Sequence, residues 1–457
     1  MRRIVHEQLR LVPRIIDHEH ARELQQISAV LDQLPEAVEL IRADLLERGG
    51  KPVDPTKGRD GMTAEQVLRA LIVKQMNRYS YAELAFHLAD SNTYRWFCRL
   101  GIEQKPLKKS TLQKNIKRVR SETWEAINRK LVLYAAVNGV ETGAKVRTDC
   151  TVVESNIHKP TDSSLLWDSV RVLVRLMDEA EKDFGVRFTD HSRRAKRRAL
   201  GILNAKSNEQ RSPLYRDLLT VTEKTVRSAE RIADELDKVE VLGLLDLLRA
   251  GALAQQLRHY VALAKRVIEQ TERRVHKGES VPAQEKIVSI FEVHTDIIVK
   301  DRRETLYGHK ICLTSGTSGL VTDVVVEEGN PADSTLAVKM VKRQGAIYGQ
   351  VPRQVSFDGG FTSRDNLAMI KELGVEDVAF SKRGALQIPE MVKSSWVYRC
   401  LRNFRAGIEG TISCLKRVFG LDRCTWRGFS SFKAYVCGSV LACNLLVLAR
   451  HLLTAAA

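Results

Sequence analysis

The chain lacks the residue spacings that mark zinc sites and disulfide frameworks. Its eight cysteines include no Cys-x-x-Cys pair, and none of its eleven histidines belongs to a His-Glu-x-x-His motif. Metal-binding and disulfide-rich chains use such spacings to bring ligands or thiols together. Neither kind of site is therefore indicated, and reduced thiols in a cytoplasm are the simplest expectation.

Long apolar runs are also scarce. The N-terminal segment MRRIVHEQLRLVPR lacks the apolar core of a signal peptide. The most apolar segment, residues 434–448, is too short for a comfortable membrane span and contains Asn444. We therefore expect no membrane partner, and we interpret residues 426–457 as a helix packed on the protein core.

Acidic residues are too few to balance the basic ones. Lys and Arg number 73 against 56 Asp and Glu, a formal net charge of +17, in a globular chain of 457 residues. A chain of this length is expected to form about two to four structural units. An excess of positive charge favours a polyanionic partner. The charge alone fits ribosomal proteins, membrane-surface proteins and nucleic-acid enzymes.

The N-terminal third is predicted to be helical. We interpret residues 1–58 as a charged helical region and a candidate dimerisation surface. The Gly- and Pro-rich loop of residues 49–61 marks a boundary. Residues 59–135 then form a second helical domain, in which Thr63 and Gln66 have the spacing of a helix-capping box.

The last short helix of this second domain is basic. Ser110 is its expected cap, and short helices that end in a basic one resemble a helix-turn-helix. Amphipathic helices with solvated lysines are also common, so the signal is weak. The residues that we expect to contact DNA here are Lys108, Lys109, Lys114, Lys117 and Arg118.

Residues 160–286 show helical periodicity throughout. Leu166, Val170, Leu173 and Met177 recur at the spacing of one helix face. Within this segment, HSRRAKRRAL concentrates positive charge in one or two helical turns, which repels itself unless an anion lies against it. We expect DNA contacts from Arg193, Arg194 and Arg197, with a solvated helix face as the alternative.

A lone carboxylate interrupts the stretch VRTDCTVVES, which otherwise has the alternation of a β-strand. A carboxylate in mid-strand is costly unless it is paired, solvated in a cleft or bound to a metal. Asp149 is therefore either a structural residue, hydrogen-bonded to a loop, or part of a functional site.

Beyond residue 287 the apolar period changes to two. IVSIFEVHTDIIV and HKICLTSGTSGLVTDVVVEE are predicted to form strands, including a hairpin that turns at residues 315–319. A helix is expected over residues 333–345. The strand QVSF then ends at Asp358, beside Gly359 and Gly360, and ligands of α/β sheets usually bind at such strand ends.

The segment RNFRAGIEGTISCLKRVFG is predicted to be a helix with two stripes. One stripe is apolar, and the other carries Arg405, Glu409 and Lys416. An exposed Arg405–Glu409 ion pair of small value is one interpretation. Gly407 and Gly410 beside the glutamate favour another, because glycines suit the close approach of a ligand or a second backbone.

These three acids together resemble the catalytic residues of a known family. Asp149 in TDCTVVESNIHKPTDSSLL, Asp358 in SFDGG and Glu409 in R-x-x-x-E-x-x-x-x-x-x-K resemble the triad of DDE transposases of bacterial insertion sequences, in particular the ISNCY type and its relatives. Arg405 and Lys416 match the last part of that family's Y-R-E-K signature. Arg402 stands at the tyrosine position, so the role of that tyrosine is absent or taken elsewhere.

The resemblance implies an α/β fold with a ribonuclease-H-like catalytic core. The core would comprise residues 140–159 and 287–425, with Asp149 on its first strand, Asp358 on its fourth and Glu409 on a helix against the sheet. Residues 160–286 would be a large all-helical insertion between the first two strands.

The resemblance also implies the cofactor and the partner. Two Mg²⁺ ions, with Mn²⁺ as a substitute, would be held by Asp149, Asp358 and Glu409. Arg405 and Lys416 would steady DNA phosphates. The expected partner is double-stranded DNA, bound by a homodimer or larger assembly in the cytoplasm, at the nucleoid.

Two other functions remain open from the sequence. One is a catalytically silent DNA-binding protein derived from a transposase, and the other is a ribonuclease-H-fold nuclease without strand transfer. Three further acids, Glu154, Asp162 and Asp323, rival the triad, and we interpret them as solvated or structural.

Overall fold

The computed structural model describes residues 17–48, 51–52, 54, 61–101, 105–238, 243–300 and 304–456. The first sixteen residues and most of the predicted boundary loop lie outside these ranges. The contacts divide the chain into two compact units. One comprises Met1–Glu154 with His309–Ala457, and the other Ser155–Gly308. The domain boundaries predicted from the sequence are finer than this division and stay predictions.

Short helices dominate the N-terminal part of the first unit. They are α1 (Glu19–Asp32), α2 (Pro35–Leu45), α3 (Ala64–Met76), α4 (Tyr81–Asp90), α5 (Asn92–Phe97), α6 (Lys109–Ile116) and α7 (Ser121–Val137), with the paired strands β1 (Glu47–Arg48) and β2 (Lys51–Pro52) after α2. The predicted capping box of α3 is confirmed: the Gln66 N–H donates to Thr63 Oγ1 at 3.1 Å, and the Thr63 N–H donates to Gln66 Oε1 at 3.2 Å.

Helix α6 begins before its expected cap, so the assignment of Ser110 is wrong. Its cap residue is Lys108, whose carbonyl accepts from the Leu112 N–H, and Ser110 is exposed in the first turn. The burial of Leu112 and Ile116 fixes where the helix must run. A serine that would have capped a later start is left on the surface.

The second unit contains long helices, α8 (Asp162–Phe184), α9 (Ser192–Asn204), α10 (Asn208–Leu236) and α11 (Leu244–Thr271), followed by a π-helical turn (Glu272–His276). The predicted apolar face of α8 is confirmed, because Leu166, Val170, Leu173 and Met177 are fully buried in this unit's core.

Asp149 lies on strand β3 (Lys145–Glu154). The strands beyond residue 287, where the apolar period changes, are β4 (Asp296–Lys300), β5 (Glu304–Ser315), β6 (Val321–Val326), β7 (Gln354–Phe357) and β8 (Asp377–Phe380). In the first unit their order is β6-β5-β3-β7-β8, with β7 parallel to β3 and to β8 and β6 antiparallel to β5. In the second unit, residues 304–308 pair with β4.

One prediction about these strands needs correction. Residues 287–293 form no strand: the Ser289 hydroxyl accepts from the Phe291 and Glu292 N–H groups, which closes a turn, and Ile287 and Ile290 are buried in the core of the second unit. Asp358 directly follows β7, which is the fourth strand in chain order among β3, β5, β6, β7 and β8 of the first unit.

The remaining elements of the first unit are α12 (Ala337–Tyr348), α13 (Arg364–Glu372), α14 (Ile388–Met391), α15 (Ser395–Arg417) and α16 (Phe429–Ala456), with 3₁₀ turns at Asp333–Thr335 and Gly359–Phe361. The helix predicted over 333–345 thus begins as a 3₁₀ turn and continues as α12. The predicted helix with two stripes is part of α15.

The C-terminal helix α16 covers most of the helix expected over residues 426–457. By length and composition alone it could cross a membrane, but 67% of its most apolar window is buried inside the protein. Its buried Asn444 donates from Nδ2 to Asn128 Oδ1 and to the Val321 carbonyl, both at 2.8 Å, and accepts from the Val321 N–H at 2.8 Å. These bonds join α16 and α7 to the start of β6.

We predict that Asn444→Leu lowers the free energy of unfolding by roughly 2–4 kcal/mol, because the buried Val321 backbone groups and Asn128 lose their partner. Urea or thermal unfolding measures the effect. Ser430→Ala, an exposed change on the same helix, is the control. Equal stability of Asn444→Leu and the wild type would show that this network does not hold the helix.

Candidate active site

Strand pairing places the first two acids side by side. In the parallel pair of β3 and β7, Thr148 lies opposite Phe357, and in the pair of β7 and β8, Phe357 lies opposite Phe380. The next positions are Asp149, Asp358 and Ser381. These residues therefore lie side by side where β7 and β8 end, beside the middle of β3, on neighbouring strands about 4.8 Å apart.

Three hydrogen bonds fix helix α15 against this part of the sheet. The Arg147 guanidinium donates to the Phe404 carbonyl at 2.8 Å, and the Ser356 hydroxyl donates to the Leu401 carbonyl at 3.0 Å. The Tyr398 hydroxyl of the helix donates to the Phe380 carbonyl at 2.9 Å. Strands β3, β7 and β8 thus each hold the helix at a different turn, and this sets the position of its polar stripe.

Arg405 lies at the centre of the three acids. Its Nη2 is 2.9 Å from Asp149 Oδ2 and 3.1 Å from Asp358 Oδ1, and its Nη1 donates to Glu409 Oε1 at 2.8 Å. The Arg405 side chain is only 15% exposed, whereas that of Glu409 is 67% exposed. The Arg405–Glu409 pair therefore exists, but it is one edge of a network that unites the predicted triad.

The site shifts the pKa values of the two aspartates in opposite directions. Burial raises the pKa of Asp149 to about 6, although Arg405 and the Cys150 N–H favour its ionised form. Burial also acts on Asp358, but the Ser381 hydroxyl, the Gly359 N–H and Arg405 together lower the pKa of Asp358. Asp358 is therefore ionised at neutral pH. For Asp149, burial disfavours the ionised form.

The glycines near the acids serve close packing in three of four cases. A β-carbon on Gly359 would contact the Lys382 side chain at 2.9 Å, and one on Gly360 would contact Asp333 Oδ2 at 2.9 Å. On Gly407 it would collide with the Arg147 guanidinium, so a side chain makes the close approach here, and not a ligand or a second backbone. Gly410 faces open space, so the expected close approach of a ligand there stays a prediction.

Sequence reasoning missed three residues of the site. Ser381 donates to Asp358 Oδ1 at 2.8 Å, and Arg147 also donates to Ser315 Oγ at 2.9 Å. Asp333 accepts from Lys310 Nζ at 2.8 Å and is near enough to raise the pKa of Asp149. The parallel register could have identified Ser381, since it follows β8 as Asp358 follows β7. No local motif marks Asp333.

Two of the rival acids are engaged in ion pairs within the fold. Asp323 is buried and accepts from Arg343 Nε at 2.5 Å, and Asp162 accepts from Arg274 Nη1 at 2.9 Å. Glu154 is half-buried at the end of β3, where its backbone pairs with residues 422–424. The interpretation of Asp162 and Asp323 as structural is supported by these ion pairs.

The basic residues predicted to contact DNA differ in their surroundings. Lys108, Lys109 and Lys114 are exposed on α6. Lys117 lies over the Trp426 ring, and Arg118 donates to the Glu47 carbonyl at 2.8 Å, so both have contacts within the fold. Lys416 is half-buried on α15, well along the helix from Arg405.

In the second unit, the basic run of α9 is partly neutralised. Arg194 and Arg198 both donate to Asp217 of α10, which supplies the anion that such a run requires. Arg193 and Arg197 are exposed. Only part of this run is therefore placed toward solvent.

The acids suit a divalent metal by their chemistry and placement. Carboxylate oxygens are the ligands that Mg²⁺ prefers, and three carboxylates converge on one positive charge here. Within the described ranges, however, no three His, Cys, Asp or Glu residues are grouped closely enough to hold a metal. Arg405 stands between the acids and is the cation that they share.

Two family models match the chain. One, described as a transposase DDE domain, matches residues 292–445, which include Asp358 and Glu409; Asp149 precedes this match. The other, described as a transposase domain (DUF772), matches residues 13–118. No curated protein and no solved structure matches the chain.

The two matches define the class of protein, because a DDE domain preceded by this N-terminal domain is the signature of transposases from insertion sequences. Both domains of this signature are present in the chain, over residues 13–118 and 292–445. The chain is a nucleic-acid-processing enzyme whose partner is DNA, and its mixed α/β core is of the ribonuclease-H-like type that this family implies. The family typically uses divalent metals and normally works in the cytoplasm.

The raised pKa of Asp149 predicts a pH dependence of stability in a chelating buffer. The ordinary carboxyl pKa is about 4, so between pH 4 and 7 the unfolded chain ionises before the folded one, and stability falls as the pH rises through about 6. In Asp149→Asn this loss is absent. As the pH rises from 4 to 7, the unfolding free energy of Asp149→Asn should therefore increase relative to that of the wild type by up to about 3 kcal/mol.

Thermal unfolding at a series of pH values measures this difference, with Asp365→Asn, an exposed acid on α13, as the control. A gap between wild type and Asp149→Asn that does not change with pH would mean that burial leaves Asp149 unperturbed.

Proposed function

We propose that the protein binds the ends of its insertion sequence and catalyses metal-dependent cleavage at the DNA 3′ end, followed by strand transfer into target DNA. The observation that carries the proposal is the convergence of Asp149, Asp358 and Glu409 on a single cation. They come from strand β3, from the end of the parallel strand β7 and from helix α15, and about two hundred residues of the chain separate Asp149 from Asp358.

Two Mg²⁺ ions held by these acids, or Mn²⁺ in their place, would activate the attacking oxygen and neutralise the leaving one. The chain's own part is to aim the carboxylates. Asp149 lies at the sheet edge beside Asp358, which is kept ionised by Ser381 and Gly359, and Glu409 projects from the exposed side of α15 toward solvent. Glu409 is therefore the acid most open to DNA.

The remaining assignments form part of the same proposal. Residues 160–286 are a helical insertion into the catalytic core, and Arg193, Arg194 and Arg197 of this segment hold flanking DNA through phosphates. Residues 59–135 hold the terminal repeat through the basic helix α6, and Lys416 steadies a phosphate beside Glu409. A homodimer or larger assembly on paired ends, at the nucleoid, completes the proposal.

Substitution of each acid tests the proposal. We expect Asp149→Asn, Asp358→Asn and Glu409→Gln each to reduce end cleavage and joining by at least about a hundredfold, since loss even of groups that only support metal ligands costs about 10–100-fold. The assay uses purified protein, DNA with the element's own ends, and Mg²⁺. Asp365→Asn should retain wild-type activity.

The products separate the alternatives. Cleavage without joined product would favour a nuclease of the same fold, and DNA binding without cleavage by the wild type would favour a catalytically silent protein. Full activity in the three variants would refute the assignment of the triad.

Arg405 and divalent ions compete for the same carboxylates. The guanidinium has contacts with all three acids, yet its Nε is buried with no hydrogen-bond partner in the described part of the chain. Ions that bind the acids must therefore replace contacts that Arg405 makes. We therefore expect Arg405 to hold the acids, rather than DNA, when no metal is bound.

We predict that Arg405→Gln binds Mg²⁺ or Ca²⁺ about tenfold more tightly than the wild type, because the guanidinium no longer competes for the carboxylates. This change corresponds to about 1.4 kcal/mol of binding free energy. Titration calorimetry without DNA measures it. Arg402→Gln, an exposed arginine one turn earlier on α15, should leave the affinity unchanged. Weaker binding by Arg405→Gln would mean that the arginine orders the acids instead of competing with ions.

A further inference from the structure

A cavity lies in the first unit, and none of the three acids lines it. It has a volume of about 570 Å³ and is bounded by residues of α3, α4 and α6 and by the segment of residues 422–435. The helices belong to the N-terminal transposase domain and the segment belongs to the DDE domain, so the cavity lies where the two matched domains meet. The charged residues that line it are Lys74, Arg78, Lys109, Lys117, Arg423, Glu83 and Asp422.

Lys74 is a buried cation without a counter-ion. It is 4% exposed, and no carboxylate lies within ion-pair distance of it in the described ranges. Its Nζ stands over the Tyr81 ring at 5.1 Å and near the Trp426 ring at 6.0 Å. Burial, together with the charge of Lys117, lowers the pKa of Lys74 to about 8. A buried ammonium of this kind is expensive unless an anion joins it.

A second lysine faces the same ring. Lys117 Nζ is 5.7 Å from the centre of the Trp426 ring, so two ammonium groups share one aromatic wall. Tyr81 and Trp426 are themselves buried, and the Tyr81 hydroxyl and Trp426 Nε1 have no hydrogen-bond partner among the residues described. The wall of the cavity thus combines positive charge with polar groups that have no acceptor.

The two acids of the cavity are already engaged. Glu83 accepts from the Ser80 N–H at 2.7 Å as the second half of a helix-capping box. Asp422 accepts from Arg78 Nη2 at 3.2 Å. Neither carboxylate forms an ion pair with Lys74, although the charge of Glu83 favours its ionised form, and the cavity keeps a net positive charge.

We propose that this cavity binds a phosphate group of the DNA backbone, held between Lys74 and Lys117. Three observations support an anion: the uncompensated buried Lys74, the second lysine at the same ring, and the engagement of both acids. DNA is the favoured source because α6, the helix that we expect to contact DNA, supplies Lys109 and Gln113 to the wall, and Lys117 directly follows it. The inference rests on the proposed function for its choice of DNA, and it adds a phosphate contact shared by both domains.

Lys74→Met is the test variant, because methionine keeps the apolar stem against Tyr81 and removes only the charge. The variant should fold at least as stably as the wild type, since the buried charge has no counter-ion. Lys342→Gln, an exposed lysine on α12, is the control for loss of one charge.

The first measurement uses inorganic phosphate alone, with a chelator present. Phosphate should raise the melting temperature of the wild type and of Lys342→Gln relative to chloride of equal ionic strength, and should not do so for Lys74→Met. An equal rise in Lys74→Met would overturn the site.

The second measurement is the salt dependence of binding to a duplex with the element's end, again without divalent metal. Removing one lysine that binds a DNA phosphate should lower the slope of log affinity against log salt by about 1, so Lys74→Met should show a smaller slope than the wild type and Lys342→Gln. A phosphate effect through Lys74 with an unchanged DNA slope would overturn the assignment to DNA and leave a site for free phosphate.

Cleavage by the wild type in Mg²⁺, measured separately from the metal-free binding assay, separates this inference from the catalytic one. A reduced slope in Lys74→Met together with an inactive wild type would support the phosphate site while the catalytic proposal fails.

Discussion

The fold near the acids depends on a balance of charge around Arg405. Asp149 and Asp358 occupy neighbouring positions on parallel strands, and like charges at this distance repel each other. The arginine that joins them to Glu409 comes from α15, and α15 is held in place by Arg147, whose guanidinium fills the space left by Gly407. Arg147 thus fixes the position of α15 on the sheet. From that position, Arg405 offsets the negative charge of the carboxylates.

Much of the site follows from periodicity and from the resemblance. Strand alternation predicted the strand of Asp149 and the strand that ends at Asp358, and the two stripes of α15 predicted which of its residues pack and which face the acids. The function came from the resemblance, and the two transposase domains agree with it.

The rest depends on contacts between distant parts of the chain. That Arg405 bonds to both aspartates, and not only to the glutamate four residues away, requires knowledge of how α15 crosses the sheet. Asp333 approaches the site only because Gly360 leaves room for it. The strand expected at residues 287–293 is a turn, because a serine side chain takes the backbone N–H groups that a neighbouring strand would need.

The burial of helix α16 determines how the chain responds to truncation of its gene. Helix α16 contributes Val436, Val440, Leu441 and Leu445 to the same core as helices α1, α3 and α7, and Asn444 is bonded to α7 and β6. A copy whose reading frame stops before residue 429 would leave that core open on one side. We therefore expect truncated copies to yield chains that aggregate or are degraded, and not stable fragments that occupy the element's ends and block intact protein.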